Sequence, residues 1–400
     1  MLIKATICDH DHPERGLVTV PLPIPNEQYD QYIERVRALG IGDPLKKDCM
    51  VMELDSFFSV LKITEGRCVN LDELDYLAKR LDSFDDGEAA QFQAMASKLE
   101  LRELKDFINL TFCCQKATVI TDFSDLEAVG RDHYMNTHGG CVLTEELEAL
   151  DGRETALLLI TDQEGTVTPY GVVYDNGMEL EQSYDGTYFP AYLYEPSVLM
   201  VALTSRLEPE DTRNITWLCL PAPKGQLQRS LARSGITGSE DMRFRIEQSM
   251  LPEEVEAALD FQRESIYSLN ELAQAVMALS NDEQKKLAAV VVLAGPETAA
   301  EIRRLAEDLD QFDFAPGVHT PKEYGKYMIQ ESGRFDYDPN LDEFYDYERY
   351  GQQHTAQQSG MFTSHGYISY HGTMSLEELM MEGPAERYQV EQGPQMGGMA

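Results

Sequence analysis

The chain resembles itself at long range, and a chain built on a repeat must fold as the repeat folds. At a separation of 195 residues five glycines meet glycines: Gly40 with Gly235, Gly130 with Gly325, Gly165 with Gly360, Gly171 with Gly366, and Gly177 with Gly372. Twenty-eight glycines in 400 residues give about one such coincidence by chance. Gly40-Ile41 returns as Gly235-Ile236, and Asn70-Leu71-Asp72-Glu73-Leu74 returns as Ser268-Leu269-Asn270-Glu271-Leu272. Both five-residue runs read as capping boxes, in which the first side chain accepts from helix amides and the Glu at N3 reaches back. Ser124 to Glu127 and Thr320 to Glu323 read as a second pair, the latter with Pro321 at N1. The reading is a tandem duplication, with a first unit at 1–195 and a second at 196–372. A tail at 373–400 holds a short amphipathic helix and a disordered end rich in Gly and Met.

Each copy is expected to be α+β, with small mixed segments flanking a helical bundle. Strands are predicted at 17–21 and 216–220, each followed by a helix, 26–39 and 225–233. Helices are predicted at 71–81, 88–98 and 101–110 in the first copy and at 269–279, 282–294 and 296–309 in the second. The remainder reads as strand: 155–161, 166–174 and 191–204, then 360–370.

Charge narrows the function. The chain carries 70 Asp and Glu against 33 Lys and Arg, a formal net charge of -37. That argues against binding nucleic acid directly, because phosphates must be met by Lys and Arg. With 42% hydrophobic residues the chain has matter for packed cores, so it is not an acidic coil. Seven cysteines, an odd and scattered number, do not make a disulfide framework and fit a reducing cytoplasm. The apolar runs 156–160 and 287–294 are far below the roughly 18 residues of a membrane span, and the first residues show no signal peptide.

Catalytic motifs are missing: there is no G-x-x-x-x-G-K-[ST], G-x-G-x-x-G or G-x-S-x-G. An enzyme is not expected, nor a cofactor. In Cys8-Asp9-His10-Asp11-His12 an extended backbone would place Cys8, His10 and His12 on one face, where they could ligate zinc. No second cluster accompanies them, and solvated surface is the preferred reading. Cys113-Cys114 reads as core filler.

Acidic concentrations are the candidate partner-binding surface: Asp72, Glu73, Asp75, Asp82, Asp85, Asp86 and Glu88, and again Asp336, Asp338, Asp342, Glu343, Asp346 and Glu348. Aromatic residues 335, 337, 344, 345, 347 and 350 interleave the second group. Duplex DNA carries one charge per ~1.7 Å, so the net charge equals that of about 63 Å of duplex. Carboxylates held at that density can enter a basic groove built for phosphates.

The stretch Tyr324-Gly325-Lys326-Tyr327-Met328-Ile329-Gln330-Glu331-Ser332-Gly333-Arg334-Phe335, then 341–351 and 360–368, resembles the ArdA antirestriction proteins. E-S-G, an acidic aromatic D-Y-E-x-Y-G and G-x-F-T-x-x-G-Y carry the resemblance. It implies an elongated, curved DNA mimic, encoded on conjugative elements and plasmids, that occupies the DNA-binding groove of type I restriction-modification enzymes. It also implies that Met328, Ile329, Gln330, Glu331, Ser332, Gly333, Arg334 and Phe335 form the antirestriction motif, near an assembly interface. Family members are about half this length, so the chain is expected as a monomeric pseudo-dimer or a homodimer. The first copy has diverged, with His138-Gly139-Gly140-Cys141 in place of E-S-G. The alternative is an acidic adaptor for another basic DNA-binding protein.

Overall fold

The computed structural model describes residues 2–192, 194–209, 212–238 and 241–381. The chain divides into two compact units, Met1–Pro196 with Val201–Arg245, and Ser197–Met200 with Ile246–Ala400.

In the first unit, strands β1 (Ile3–Asp9) and β2 (Val18–Leu22) precede helix α1 (Tyr29–Ala38), then β3 (Cys49–Ser56) and β4 (Cys68–Val69). They form an antiparallel sheet of order β2-β1-β3-β4, with Ile3 opposite Leu22 and Ala5 opposite Val20. Period-2 alternation sends Ile3, Ala5 and Ile7 into the core, and a bulge in the β1–β3 pairing at Thr6/Ile7 lets Val51 and Leu54, opposite Ile7 and Ala5, face the same way; Tyr29, Ile33 and Val36 of α1 join them. Helices α2 (Leu71–Asp82), α3 (Asp86–Lys98) and α4 (Leu104–Leu110) make the bundle. Leu71, Leu74, Leu77 and Leu81 recur at helical spacing and are fully buried with Phe92, Phe107 and Ile108. Then come β5 (Thr118–Ile120), α5 (Leu126–Thr137), α6 (Thr144–Ala149), α7 (Gly152–Asp162), β6 (Thr166–Thr168) and β7 (Gly171–Tyr174), with sheet order β5-β7-β6. Next are β8 (Leu199–Ser205), β9 (Thr216–Leu220), α8 (Lys224–Arg233) and β10 (Met242–Ser249), a sheet of order β10-β8-β9.

The second unit continues with α9 (Glu253–Ala257) and a bundle of α10 (Ile266–Met277), α11 (Asn281–Ala294) and α12 (Ala299–Glu307). It then runs through β11 (Phe312–Pro316), α13 (Pro321–Gln330), α14 (Tyr347–Gln357), β12 (Ser359–Phe362), β13 (Gly366–Tyr370) and α15 (Leu376–Met380), with sheet order β11-β13-β12.

Much of the element order thus occurs twice, although β4 and α6 have no counterpart in the second half. The separation of 195 holds to the residue from α1 to α8, from the N-cap of α2 (Asn70) to that of α10 (Ser265), and from the capping box Asp85/Glu88 to Ser280/Glu283. It holds again from α7 to α14. At both hairpin turns a threonine hydroxyl donates to a glycine carbonyl, Thr168 to Gly171 and Thr363 to Gly366, each at 2.8 Å. The α+β class is the one expected.

Several expectations fail. The strands expected at 166–174 and 360–370 are each two strands joined by a turn, and the helices expected at 101–110 and 296–309 begin at 104 and 299. Residues 155–161 are not a strand but the middle of α7, where Asp151 caps the amide of Glu154 and Ala156 packs inward. Ala and Leu are good helix formers, and the run lacks the β-branched residues that favour a strand. α10 begins a turn earlier than expected, capped by Ser265, because the apolar stripe Ile266, Leu269, Leu272, Ala273 and Val276 reaches back to Ile266. α5 is capped by Asp125, while Ser124 bonds to Asp122. Only Leu199–Ser205 of the expected 191–204 strand forms. The tail beyond 381 lies outside the described residues.

Candidate acidic interaction surface

α13 opens with a capping box, Thr320 and Glu323, with Pro321 at N1 as the sequence predicts. Its apolar side buries Tyr324 and Met328 against Ala315, Val318 and Tyr367. Where the helix ends, the Ser332 hydroxyl donates to the Met328 carbonyl (2.5 Å), Gly333 takes φ +68°, and Arg334 Nη2 donates to Asp313 Oδ1 (3.2 Å). A positive φ of this kind suits glycine. Phe335 meets the ring of Tyr350 edge-on at 5.9 Å. Glu331 is exposed, and Ile329 is half-buried.

Residues 331–346 connect α13 to α14, and Asp342 fastens them. Its Oδ1 accepts from Gln330 Nε2 (2.6 Å), the Tyr337 hydroxyl (2.7 Å) and the Tyr347 hydroxyl (2.5 Å). Those bonds, from Tyr347 first and Tyr337 next, hold the carboxyl below its ordinary pKa, so it stays charged. The Tyr337, Tyr345 and Tyr347 rings follow one another at 5.8 Å. On this frame Asp336, Asp338, Asp342, Glu343, Asp346 and Glu348 are all exposed, as the sequence reading expects. Asp338 accepts from the Asn340 amide (2.9 Å), and Asp346 caps α14 through the Arg349 amide (3.0 Å).

The two helices can carry this loop because they cross at glycine. A Cβ on Gly325 would lie 2.0 Å from the Tyr347 carbonyl oxygen, and one on Gly351 would lie 1.7 Å from that of Pro321.

The first acidic group divides. Asp82, Asp85 and Asp86 are exposed, with Asp85 in the capping box of α3. Glu88 completes that box and is half-buried. Asp72, Glu73 and Asp75 are not a solvent-facing cluster: Glu73 is 4% exposed and Asp75 7%. The cause is a pair of cations on α8. Arg229, 3% exposed, donates Nε to Asp72 Oδ1 (2.7 Å) and Nη1 to the Gly42 carbonyl (2.5 Å). Arg233 donates to the carbonyls of Pro44 (2.6 Å) and Thr187 (3.0 Å) and to the Tyr184 hydroxyl (2.9 Å), with its guanidinium 4.3 Å from the Phe189 ring centroid. Tyr184 in turn donates to Glu73 (3.0 Å). Asp75 accepts the Ile24 amide (2.7 Å), and burial pushes its pKa up to about 6. The sequence reading missed Arg229 and Arg233; two arginines four apart on an amphipathic helix, in a chain poor in cations, were the available sign.

The Cys8, His10, His12 triad does not assemble. β1 ends at Asp9, whose Oδ1 accepts the amides of Asp11 (2.9 Å) and His12 (3.2 Å), so strand alternation stops before the histidines. His12 turns to Glu14 (3.1 Å). Among the described residues no group of three or more His, Cys, Asp or Glu is arranged to hold a metal. Cys113 and Cys114 are buried in the core, as expected. Among the described residues no helix is long and apolar enough to cross a membrane.

Residues 215–369, from β9 through most of β13, match the family model described as antirestriction protein (ArdA). No curated protein matches the chain.

Proposed function

We propose that this chain, whose residues 215–369 match the family model of the ArdA antirestriction proteins, is a stoichiometric inhibitor that presents carboxylates in place of DNA phosphates to a type I restriction-modification enzyme. The observation that carries the reading is the exposed set Asp336, Asp338, Asp342, Glu343, Asp346 and Glu348, all inside the matched segment and mounted on a loop pinned at Asp342. A groove lined with Lys and Arg gains from fixed anions what it gains from phosphates, including fast, salt-sensitive encounter. Held in place beforehand, the carboxylates lose little freedom on binding.

On this reading the protein acts in the cytoplasm, needs no cofactor, and protects incoming mobile DNA from cleavage. The element order recurring at a constant separation of 195 residues supports a duplicated unit that works as a pseudo-dimer within one chain.

The test is transformation of a host carrying an active type I system with unmodified plasmid, with and without this protein. Expression is expected to restore transformation toward the level of a restriction-deficient host. An acidic adaptor for some other basic protein would leave restriction unchanged, and that result overturns the proposal.

A further inference from the structure

Inside the first unit α8 packs on α1 and reaches α2 through the Arg229–Asp72 pair, and the three helices leave a cavity of about 100 Å³. Two of them bring polar side chains to it. Asp72, Asp75 and Lys79 recur at the three- and four-residue spacing of one face of α2, and Gln226, Arg229 and Arg233 do the same on α8. The rings of Tyr29, Tyr76, Tyr192 and Trp217 also line it.

Charge in the wall is balanced. Asp72, Asp75 and Glu195 stand against Lys79, Arg229 and Arg233, and the closest pairs are already made, Arg229 Nε to Asp72 Oδ1 at 2.7 Å and Lys79 Nζ to Glu195 Oε1 at 3.2 Å. A charged guest would therefore bring a charge that nothing offsets, and its desolvation would count against it. Hydrogen-bond partners are what the wall lacks. Arg229 Nη2, Asp72 Oδ2 and Gln226 Oε1 are buried without one, and Arg229 as a whole is 3% exposed. The nearest cation to Asp72 Oδ2 beyond its own partner is Arg233 Nη1 at 3.9 Å, too far for a hydrogen bond. Buried polar groups left unmet are costly, so three on adjoining side chains around one cavity point to something that meets them.

We propose that this cavity binds a small uncharged molecule through a primary carboxamide or urea group. The wall leaves one donor and two acceptors unmet, and such a group offers the converse: a carbonyl oxygen that accepts from Arg229 Nη2, and N–H groups that donate to Asp72 Oδ2 and Gln226 Oε1. A carboxylate would match the arginine and face two acceptors, whereas an amidinium would match the acceptors and face the arginine. A cavity of roughly 150 Å³ holds benzene, so this one has room for about four heavy atoms, the size of the proposed group. The repeat does not call for these side chains: the residues 195 positions after Asp72, Asp75 and Lys79 are Tyr267, Asn270 and Gln274, all uncharged.

Trp217 is the only tryptophan in the chain, so its indole N–H gives a single NMR signal at the cavity. The test titrates ¹⁵N-labelled full-length protein at neutral pH with acetamide, acetate and acetamidinium, three probes of one shape that differ in charge. Acetamide is expected to shift the signal saturably, and the two ions to bind at least roughly tenfold more weakly. Gln226→Leu should weaken acetamide binding roughly tenfold, while Gln228→Leu, exposed on the same helix, should change nothing. Far-UV circular dichroism checks that both variants fold, and if Gln226→Leu does not, the comparison of the three probes decides. No saturable shift with acetamide, which would mean that the cavity holds ordered water only, equal binding of all three probes, or undiminished acetamide binding in a folded Gln226→Leu variant would each overturn the proposal.

Discussion

Asp75 is harder to ionise in the folded protein than in the unfolded chain. Burial raises its pKa to about 6 in the folded protein, against an ordinary value of 3.8. Between about pH 4 and pH 6 the folded state therefore holds a proton that the unfolded chain has released, and the cost of ionising it grows across that window and is constant above it. Two pKa units correspond to on the order of 3 kcal/mol. Asparagine keeps an acceptor for the Ile24 amide and has no charge to bury, so Asp75→Asn should stabilise the protein at pH 7. In thermal melts the advantage of the variant should rise with pH and level off above about 6; an advantage independent of pH would refute this account. Arg229 is the reverse case, a cation that the structure has committed to Asp72. Arg229→Ala leaves the half-buried Asp72 carboxylate with only Arg233, 3.9 Å away, as a cation, and a loss of about 3 kcal/mol is expected in chemical denaturation. Arg229→Ala combined with Asp72→Asn should recover part of it, because no uncompensated charge then remains.

At the scale of elements, helix crossing sets what the sequence can vary. α13 and α14 approach so closely that Gly325→Ala or Gly351→Ala forces backbone apart, and each should cost about 1–3 kcal/mol or more, read as a lower melting temperature. Gly235→Ala, whose Cβ would meet open space, tests the other property of glycine: at φ +69° its loss should act through backbone strain alone. The pairing of Gly130 with Gly325 was visible in the sequence as a spacing, and the structure gives the cause: a Cβ on Gly130 would lie 1.7 Å from the Gly152 carbonyl oxygen. Helices with caps and apolar spacing, such as α3 and α11, were legible because both signals are local. Strands of three to five residues were less so, since β5, β6 and β12 owe their existence to partners elsewhere in the chain. The exposed acids of 336–348 were legible for the same local reason as the caps. The inward turn of Asp72 was not, because its partner Arg229 stands 157 residues away and nothing near Asp72 announces it.

For the whole molecule, a charge of -37 means that, on the proposed function, no single carboxylate would define the interaction. Exposed charges act through a shared, screened field, so the effect of removing one is small and the effect of removing a block accumulates. The two acidic groups are nonetheless unequal. Asp336, Asp338, Glu343, Asp346 and Glu348 stand exposed around Asp342, whereas of the first group only Asp82, Asp85 and Asp86 are exposed, and Asp85 is engaged in a cap. Changing Asp336, Asp338, Glu343 and Glu348 to the corresponding amides leaves the Asp342 hub and the Asp346 cap in place, so the loop should keep its shape. Binding to a type I enzyme is then expected to weaken roughly tenfold and to depend less steeply on salt, while any one of the four changes has little effect. The matching variant at Asp82 and Asp86 should do less, because it removes fewer exposed charges and lies outside the family-matched segment. Titration of the enzyme by each variant at several salt concentrations separates the cases. Equal losses from the two blocks would mean that charge alone, wherever it sits, suffices; loss from a single amide would mean a discrete contact in place of a distributed one.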